Sequence, residues 1–366
     1  MLSSLLKERF LFIGLAMAIL AYAMEHSLLE MGRLPMLAGA VLIIAAIVLV
    51  STRVAHHAEV LASKVGDPYG TMILTLSAVL VEVVILAIMM QGETSPTLVR
   101  DTIYAAVMLD INGILGLAAL LGGLRHGEQP YNDDSGKTYG VMILTAMGIS
   151  MIVPEFVPPE SWHFYSAFTI GAMIALYALF LRMQVGPHSY FFSYAYPRAG
   201  RKEQRAEASV PGDESESAPL AIAVIVIGVV LIGALAEVMS VLLTAGLRGT
   251  GAPPALMAIV VAAISAAPEI LTALRAALAN RMQSVVNIAM GASLSTVILT
   301  VPVMEAIALY TGQPFIMAMS PVQTIMVTIT LIAAAINLND GETNAIEGMT
   351  HFVLFATFLM LTAIGL

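Results

Sequence analysis

Apolar runs of about twenty residues, broken by short polar stretches, recur from one end of the chain to the other. Each is long enough to cross a hydrocarbon layer about 30 Å thick as a helix. Eleven such runs are legible, near 10–29, 34–52, 70–91, 99–123, 139–156, 163–183, 219–246, 253–274, 284–308, 314–336 and 348–366. Composition agrees with that pattern. Of 366 residues 59% are hydrophobic and 11% charged, where a soluble domain carries about 25% charged residues. The fold class expected is an all-α polytopic membrane protein. With 24 Met and no Cys, disulfides, thiolate metal sites and thiol nucleophiles are excluded.

Charge gives the orientation. The run after Lys7 and Arg9 reaches Ala23, longer than the apolar part of a cleavable signal, so it reads as a first span. With a cytoplasmic N-terminus, thirteen of the sixteen Lys and Arg fall on the inner side, and only Arg33, Arg100 and Arg248 fall outside. Basic residues collect on the cytoplasmic side of membrane proteins, so the N-terminus is expected inside and the C-terminus outside. The one long polar segment, 197–219, reads as a cytosolic linker whose second half is acidic through Asp213, Glu214 and Glu216.

That linker divides the chain into a leading helix (1–33), a first set of five spans (34–183), the linker region (184–218) and a second set of five (219–366). Each set carries an Ala-Glu-Val step, at Glu59 and Glu237, followed by an isolated Glu in an apolar run, at Glu82 and Glu269. An odd number of spans per set inserts the second copy upside down. Inverted repeats of this kind build many secondary transporters, with the substrate site near the midplane.

Glu82 lies about twelve residues into its span. A charge at the centre of a membrane helix costs at least about 2.5–3.5 kcal/mol. The carboxylate escapes by taking a proton or by pairing with a cation, and a site that swaps those two states exchanges one for the other. Pro268, just before Glu269, has no N–H, so the carbonyl of Ile264 loses its helical donor and is expected to mark a helix break. Ser265 stands beside it, and Ser77 and Thr75 precede Glu82. Hard cations take oxygen ligands. Span four adds Asp110 and Asn112 among close-packing glycines (Gly113, Gly116, Gly122, Gly123), and span nine adds Asn287, Gly291, Ser293, Ser295 and Thr296. Glu237, deep in span seven, reads as a vestibule or supporting group. Glu59, just past span two beside His56 and His57, reads as an interfacial one, with the His pair at a solvated helix end. "NLNDGETNAIEG" reads as an acidic cytosolic loop carrying Asp340, Glu342 and Glu347. It lacks the terminal Glu spacing of an EF-hand.

Two stretches, "AEVLASKVGDPYGTMILTLSAVLVEVV" and "APEILTALRAALANRMQSVVNIAMGASLSTVILTVPVM", resemble the calcium/cation antiporter superfamily. They are most similar to its calcium/proton exchanger branch and to bacterial ChaA-type cation/proton antiporters. The resemblance runs from about residue 34 to 366. In "GASLSTVILTVP", Gly291, Ser293 and Pro302 fit the branch's Gly-Ser-Ser-x-Gln…Pro pattern, while Ala292 and Ser295 replace its first serine and its glutamine. The branch's Gly-Asn-x-x-Glu motifs appear as Ala-Val-Leu-Val-Glu (78–82) and Ser-Ala-Ala-Pro-Glu (265–269), keeping both acids and losing both asparagines. The resemblance implies that Glu82 and Glu269 carry cation and proton in turn, in a transporter that expels Ca²⁺, with Na⁺ or K⁺ as the alternative ion. Inorganic cations and protons are then the substrates, the lipid bilayer of a bacterial inner membrane the surroundings, with no cofactor and no nucleic acid. A passive channel keeps the same acids. An intramembrane enzyme is disfavoured because no Gly-x-Ser-x-Gly, no His-Glu-x-x-His and no intramembrane His near the acids is read.

Overall fold

The computed structural model describes residues 8–65, 69–91, 95–186, 188–194, 217–313 and 315–366. The acidic half of the linker and its basic start lie outside the described residues. Among those described, ten helices are long and apolar enough to cross a membrane. In chain order the helices are α1 (Arg9–Met31), α2 (Arg33–Val65), α3 (Tyr69–Met90), α4 (Leu98–His126), α5 (Asp133–Phe156), α6 (Pro159–Val185), α7 (Ala218–Leu247), α8 (Ala255–Leu278), α9 (Met282–Thr311), α10 (Pro321–Asn337) and α11 (Ala345–Ala363). The eleventh, α10, has 17 residues.

Two boundaries differ from the sequence reading. α2 does not stop near residue 52 but continues to Val65, about 50 Å in all at 1.5 Å per residue. Glu59 therefore sits within a helix that outruns the hydrocarbon thickness. The expected span 314–336 begins as helix only at Pro321. Ser320 caps it, accepting from the Gln323 amide while the Gln323 side chain accepts from the Ser320 N–H, and Pro321 stands where no N–H is needed. Ahead of that cap, residues 315–320 are not helical and their backbone is satisfied elsewhere. Ile316 N–H donates to Pro96, Met319 N–H to Met151, and the Ala318 carbonyl accepts from Arg100.

The chain forms two compact units, residues 1–94 with 196–252 and residues 95–195 with 253–366. Each takes spans from both sequence halves. In the first unit α7 packs along α2, with α1 and α3 alongside. Small residues allow the approach: a Cβ on Gly228 would lie 2.4 Å from Val54, and one on Gly14 2.4 Å from Val50. Glu8 ties α1 to α2 through a two-pronged pair with Arg53, at 2.5 and 3.2 Å, and a 3.0 Å contact with His57. This corrects the reading of the His pair, because the His57 side chain is fully buried.

The second unit is built around α4 and α9. Of their apolar stretches 78% and 67% are buried, against 22% for α6 and for α11. α4 and α11 cross with almost no side-chain spacing: a Cβ on Gly348 would meet the Leu120 amide nitrogen at 2.1 Å, and one on Gly123 the Ala345 nitrogen at 2.3 Å. A two-stranded antiparallel ribbon, β1 (Gln129–Pro130) with β2 (Glu342–Thr343), joins the loops beyond those helices, pairing Gln129 with Thr343. The segment read as a free acidic loop is thus partly ordered as β2.

Candidate cation site

A buried polar cluster of the second unit lies where α4 leaves regular α-helical geometry. Met108–Leu115 forms π-helical turns, as does Thr296–Thr300 in α9. A wider turn shifts side-chain register and alters carbonyl pairing, and such insertions recur at functional positions. Asp110 and Asn112 both lie in the α4 stretch and are 2% and 0% exposed.

Hydrogen bonds give this cluster a direction. Ser293 of α9 donates to Asp110 Oδ2 at 3.2 Å. Asn112 Nδ2 donates to Thr330 Oγ1 of α10 at 2.7 Å, and Thr330 in turn points at the Met108 sulfur, 3.6 Å away. With its amide nitrogen so used, Asn112 presents Oδ1 to His351 Nδ1 of α11 at 2.8 Å. That bond places the ring hydrogen on Nδ1 and leaves Nε2 as a buried acceptor without a partner. Three helices of one unit, α9, α10 and α11, thus converge on α4. His351 corrects the sequence reading, which found no intramembrane His near the acids. His351 lies near the start of the last apolar run and was not singled out there; it packs against Gly116 of α4.

The other expected residues divide by unit. In the first unit Glu82 is 3% exposed on α3, a helix that contains no Lys, Arg or His. Ser77 is half-buried, as is Glu59 on α2. Glu237 is exposed, accepting from Tyr22 at 2.7 Å, so it is not among the buried acids. In the second unit Glu269 is half-buried on α8, directly after Pro268. α8 runs helical through Pro268, so the expected break is not realised. Ile264 is buried, and the proline leaves its carbonyl without the usual helical donor. Continuing the helix keeps every other backbone bond of an apolar span satisfied. Ser265 bonds back to the Val261 and Ala262 carbonyls, and Ser295 to Gly291. Asn287 accepts from Gln283 and donates to the Phe192 carbonyl, holding the short 189–192 turn on α9 rather than reaching Asp110.

Two buried acids were passed over altogether. Asp101, 7% exposed at the start of α4, is paired with Arg100 and accepts from Gln323. Glu305, on the second half of α9, is 1% exposed. Its signal was an isolated acid in an apolar run, the same signal that singled out Glu82.

These features accompany a specific kinship. The sequence matches the sodium/calcium exchanger protein family over residues 35–186 and 220–363. The chain belongs to that family. It is 32% identical to the sodium-potassium/proton antiporter ChaA of Escherichia coli over 312 residues, covering 84% of each chain. It is equally 32% identical to the putative ionic transporter y4hA of Sinorhizobium fredii over 317 residues, again 84% of each. Among solved structures it shares the fold of the Ca²⁺/H⁺ antiporter YfkE, with a TM-score of 0.74 at 14% identity over 97% of this chain and 98% of that one. Both matched segments fall on the two span sets either side of the linker.

Proposed function

We propose that this exchanger-family member moves inorganic cations across a membrane against protons, holding each in turn on Glu82 and Glu269. The observation that carries the reading is Glu82 itself. It is a carboxyl 97% removed from solvent, on a 22-residue helix without a basic residue. Such a group is stable as a neutral acid or with a bound cation, and each form gives way to the other. Glu269 supplies the matching carboxyl from α8, with the freed Ile264 carbonyl and the Ser265 oxygen four to five residues earlier, a little over one turn along the helix. Two carboxylates balance one divalent ion or two protons, so exchange for Ca²⁺ would be electroneutral. Asp110, held by Ser293, and Asn112, held by His351 and Thr330, support this chemistry from within the second unit. Alternating access between inverted repeats moves the loaded site from one side to the other.

The cation is the point at which two readings part. Two acids with oxygen-rich surroundings suit Ca²⁺, and YfkE is a Ca²⁺/H⁺ antiporter. Na⁺ or K⁺ is favoured by the 32% identity to a sodium-potassium/proton antiporter and by the asparagines missing at 79 and 266, which remove amide oxygens beside each Glu. Everted vesicles with an imposed proton gradient separate them. Addition of Ca²⁺, Na⁺ or K⁺ is expected to discharge the gradient for the transported ion alone, and Glu82→Gln or Glu269→Gln to lower that discharge at least a hundredfold. Undiminished discharge in either folded variant sinks the two-carboxyl mechanism.

A further inference from the structure

α9 carries a row of buried polar groups within the second unit. Ser293, which donates to Asp110, is followed by Thr296 and Thr300 at the two ends of the π-helical stretch, and then by Glu305. Their exposures are 0%, 7%, 0% and 1%. Steps of three and four residues keep Ser293, Thr296 and Thr300 on one broad side of a helix whose middle turn is widened, and the step of five carries Glu305 about 140° further round. From Ser293 to Glu305 the helix rises about 18 Å, and α9 ends six residues later at Thr311.

Glu305 is out of place among its neighbours. α9 contains no Lys, Arg or His, and no ion pair involves Glu305 among the described residues. Its Oε2 is buried without a hydrogen-bond partner. The helix packed against this part of α9 is α6. From α6, fully buried Ser166 is the polar neighbour, its hydroxyl close to the carboxyl yet in no well-aligned bond. Tyr165, the ionisable neighbour on α6, gives its hydroxyl to the Ile149 carbonyl at 2.6 Å, and His163 is exposed. An anion there has no counter-charge and too few donors. A neutral acid needs only an acceptor for its proton, which the Ser166 oxygen offers.

We propose that Glu305, with Ser166, is a proton-relay site on α9, separate from the carboxyls that hold the cation. The acid hands its proton to a water molecule on the path toward Thr300 and, as carboxylate, takes one back from a second water molecule, ending each cycle as it began. Toward the middle of α9 the hydroxyls of Thr300, Thr296 and Ser293, each both donor and acceptor, lead to Asp110. The proposal rests on the cation/proton reading given above.

Two transport modes of the full chain in proteoliposomes test it. Cation/proton exchange needs the relay. Cation self-exchange, followed with isotope at equal cation and pH on both sides, moves no net proton. Glu305→Gln is expected to slow the first at least tenfold and to leave the second within twofold. Glu305→Asp is expected to keep coupled exchange with a shifted pH profile, and Ser166→Ala to shift that profile without loss of self-exchange. Infrared difference spectra should show a protonated-carboxyl carbonyl band in the wild type that Glu305→Gln removes. Equal loss of both modes in folded Glu305→Gln, unchanged coupled exchange in it, or the absence of that band overturns the relay. A wild type that moves cations without protons overturns the underlying function instead.

Discussion

At the level of single residues, several of the protein's buried polar groups are held by a partner from a different helix, and the strength of that holding is measurable. Asn112 illustrates it. Its amide nitrogen and oxygen are both committed, to Thr330 and to His351. Truncating His351 to Ala strands the Asn112 oxygen in an apolar interior, a loss of about 1–3 kcal/mol for an unsatisfied buried group. The detergent-solubilised His351→Ala protein is therefore expected to unfold at lower temperature. In the double variant with Asn112→Leu, part of that loss should return, because the stranded acceptor is gone. A double-mutant cycle on thermal unfolding checks this, and additive losses would show that the two side chains do not interact. Asp110 behaves differently: Ser293→Ala removes one donor and leaves the acid in place.

Among elements, two contacts set the architecture and respond to different perturbations. α4 meets α11 backbone to backbone at Gly348 and Gly123. Gly348→Val puts a branched side chain where the Leu120 nitrogen lies 2.1 Å from the first added atom. Nothing flexible can yield there, so the variant is expected to lose more than about 3 kcal/mol of stability and to fail to accumulate in membranes. Gly140→Val, with nothing within 4 Å of an added Cβ, serves as the control. The α1–α2 contact answers to pH. Burial works to raise the Glu8 carboxyl, but hydrogen bonds and charge from Arg53 and His57 outweigh it and hold the group below its ordinary value. A folded value below the unfolded one gives stability that is complete above the ordinary carboxylate range and lost as pH falls through the lowered value. Amide hydrogen exchange in α1 should accelerate as pH drops below about 4. Glu8→Gln should show fast exchange in α1 at every pH and no such transition.

Over the whole molecule, the placement of Lys and Arg predicts a cytoplasmic N-terminus and an outward C-terminus. The natural absence of Cys makes the test direct. A Cys introduced at Ser4 should react with a membrane-impermeant maleimide only in everted vesicles, and one at Leu366 only in intact cells. The reverse pattern would invert the direction of transport proposed above. Each compact unit draws helices from both sequence halves, so a chain cut in the linker is expected to regain function only when its two pieces are co-expressed.

The sequence by itself determined the solvent and the number of helices, and it singled out the acids on which the proposed exchange rests. Hydrophobic length and the cost of a charge in hydrocarbon act locally, residue by residue, and Glu82, Glu269 and Asp110 stand out against their own neighbours. Where local rules compete, it misjudged: α2 outran its apolar stretch because nothing ends a helix at residue 52, and α10 started late because Ser320 and Pro321 cap it. Tertiary structure alone decided which polar groups work together. His351 and Asn112 are 239 residues apart in sequence, and Ser166 and Glu305 lie on different helices, so no local period links them. His351 and Asn112 meet because Gly116 lets α4 and α11 touch, and Ser166 reaches Glu305 because α6 is the helix packed against that part of α9.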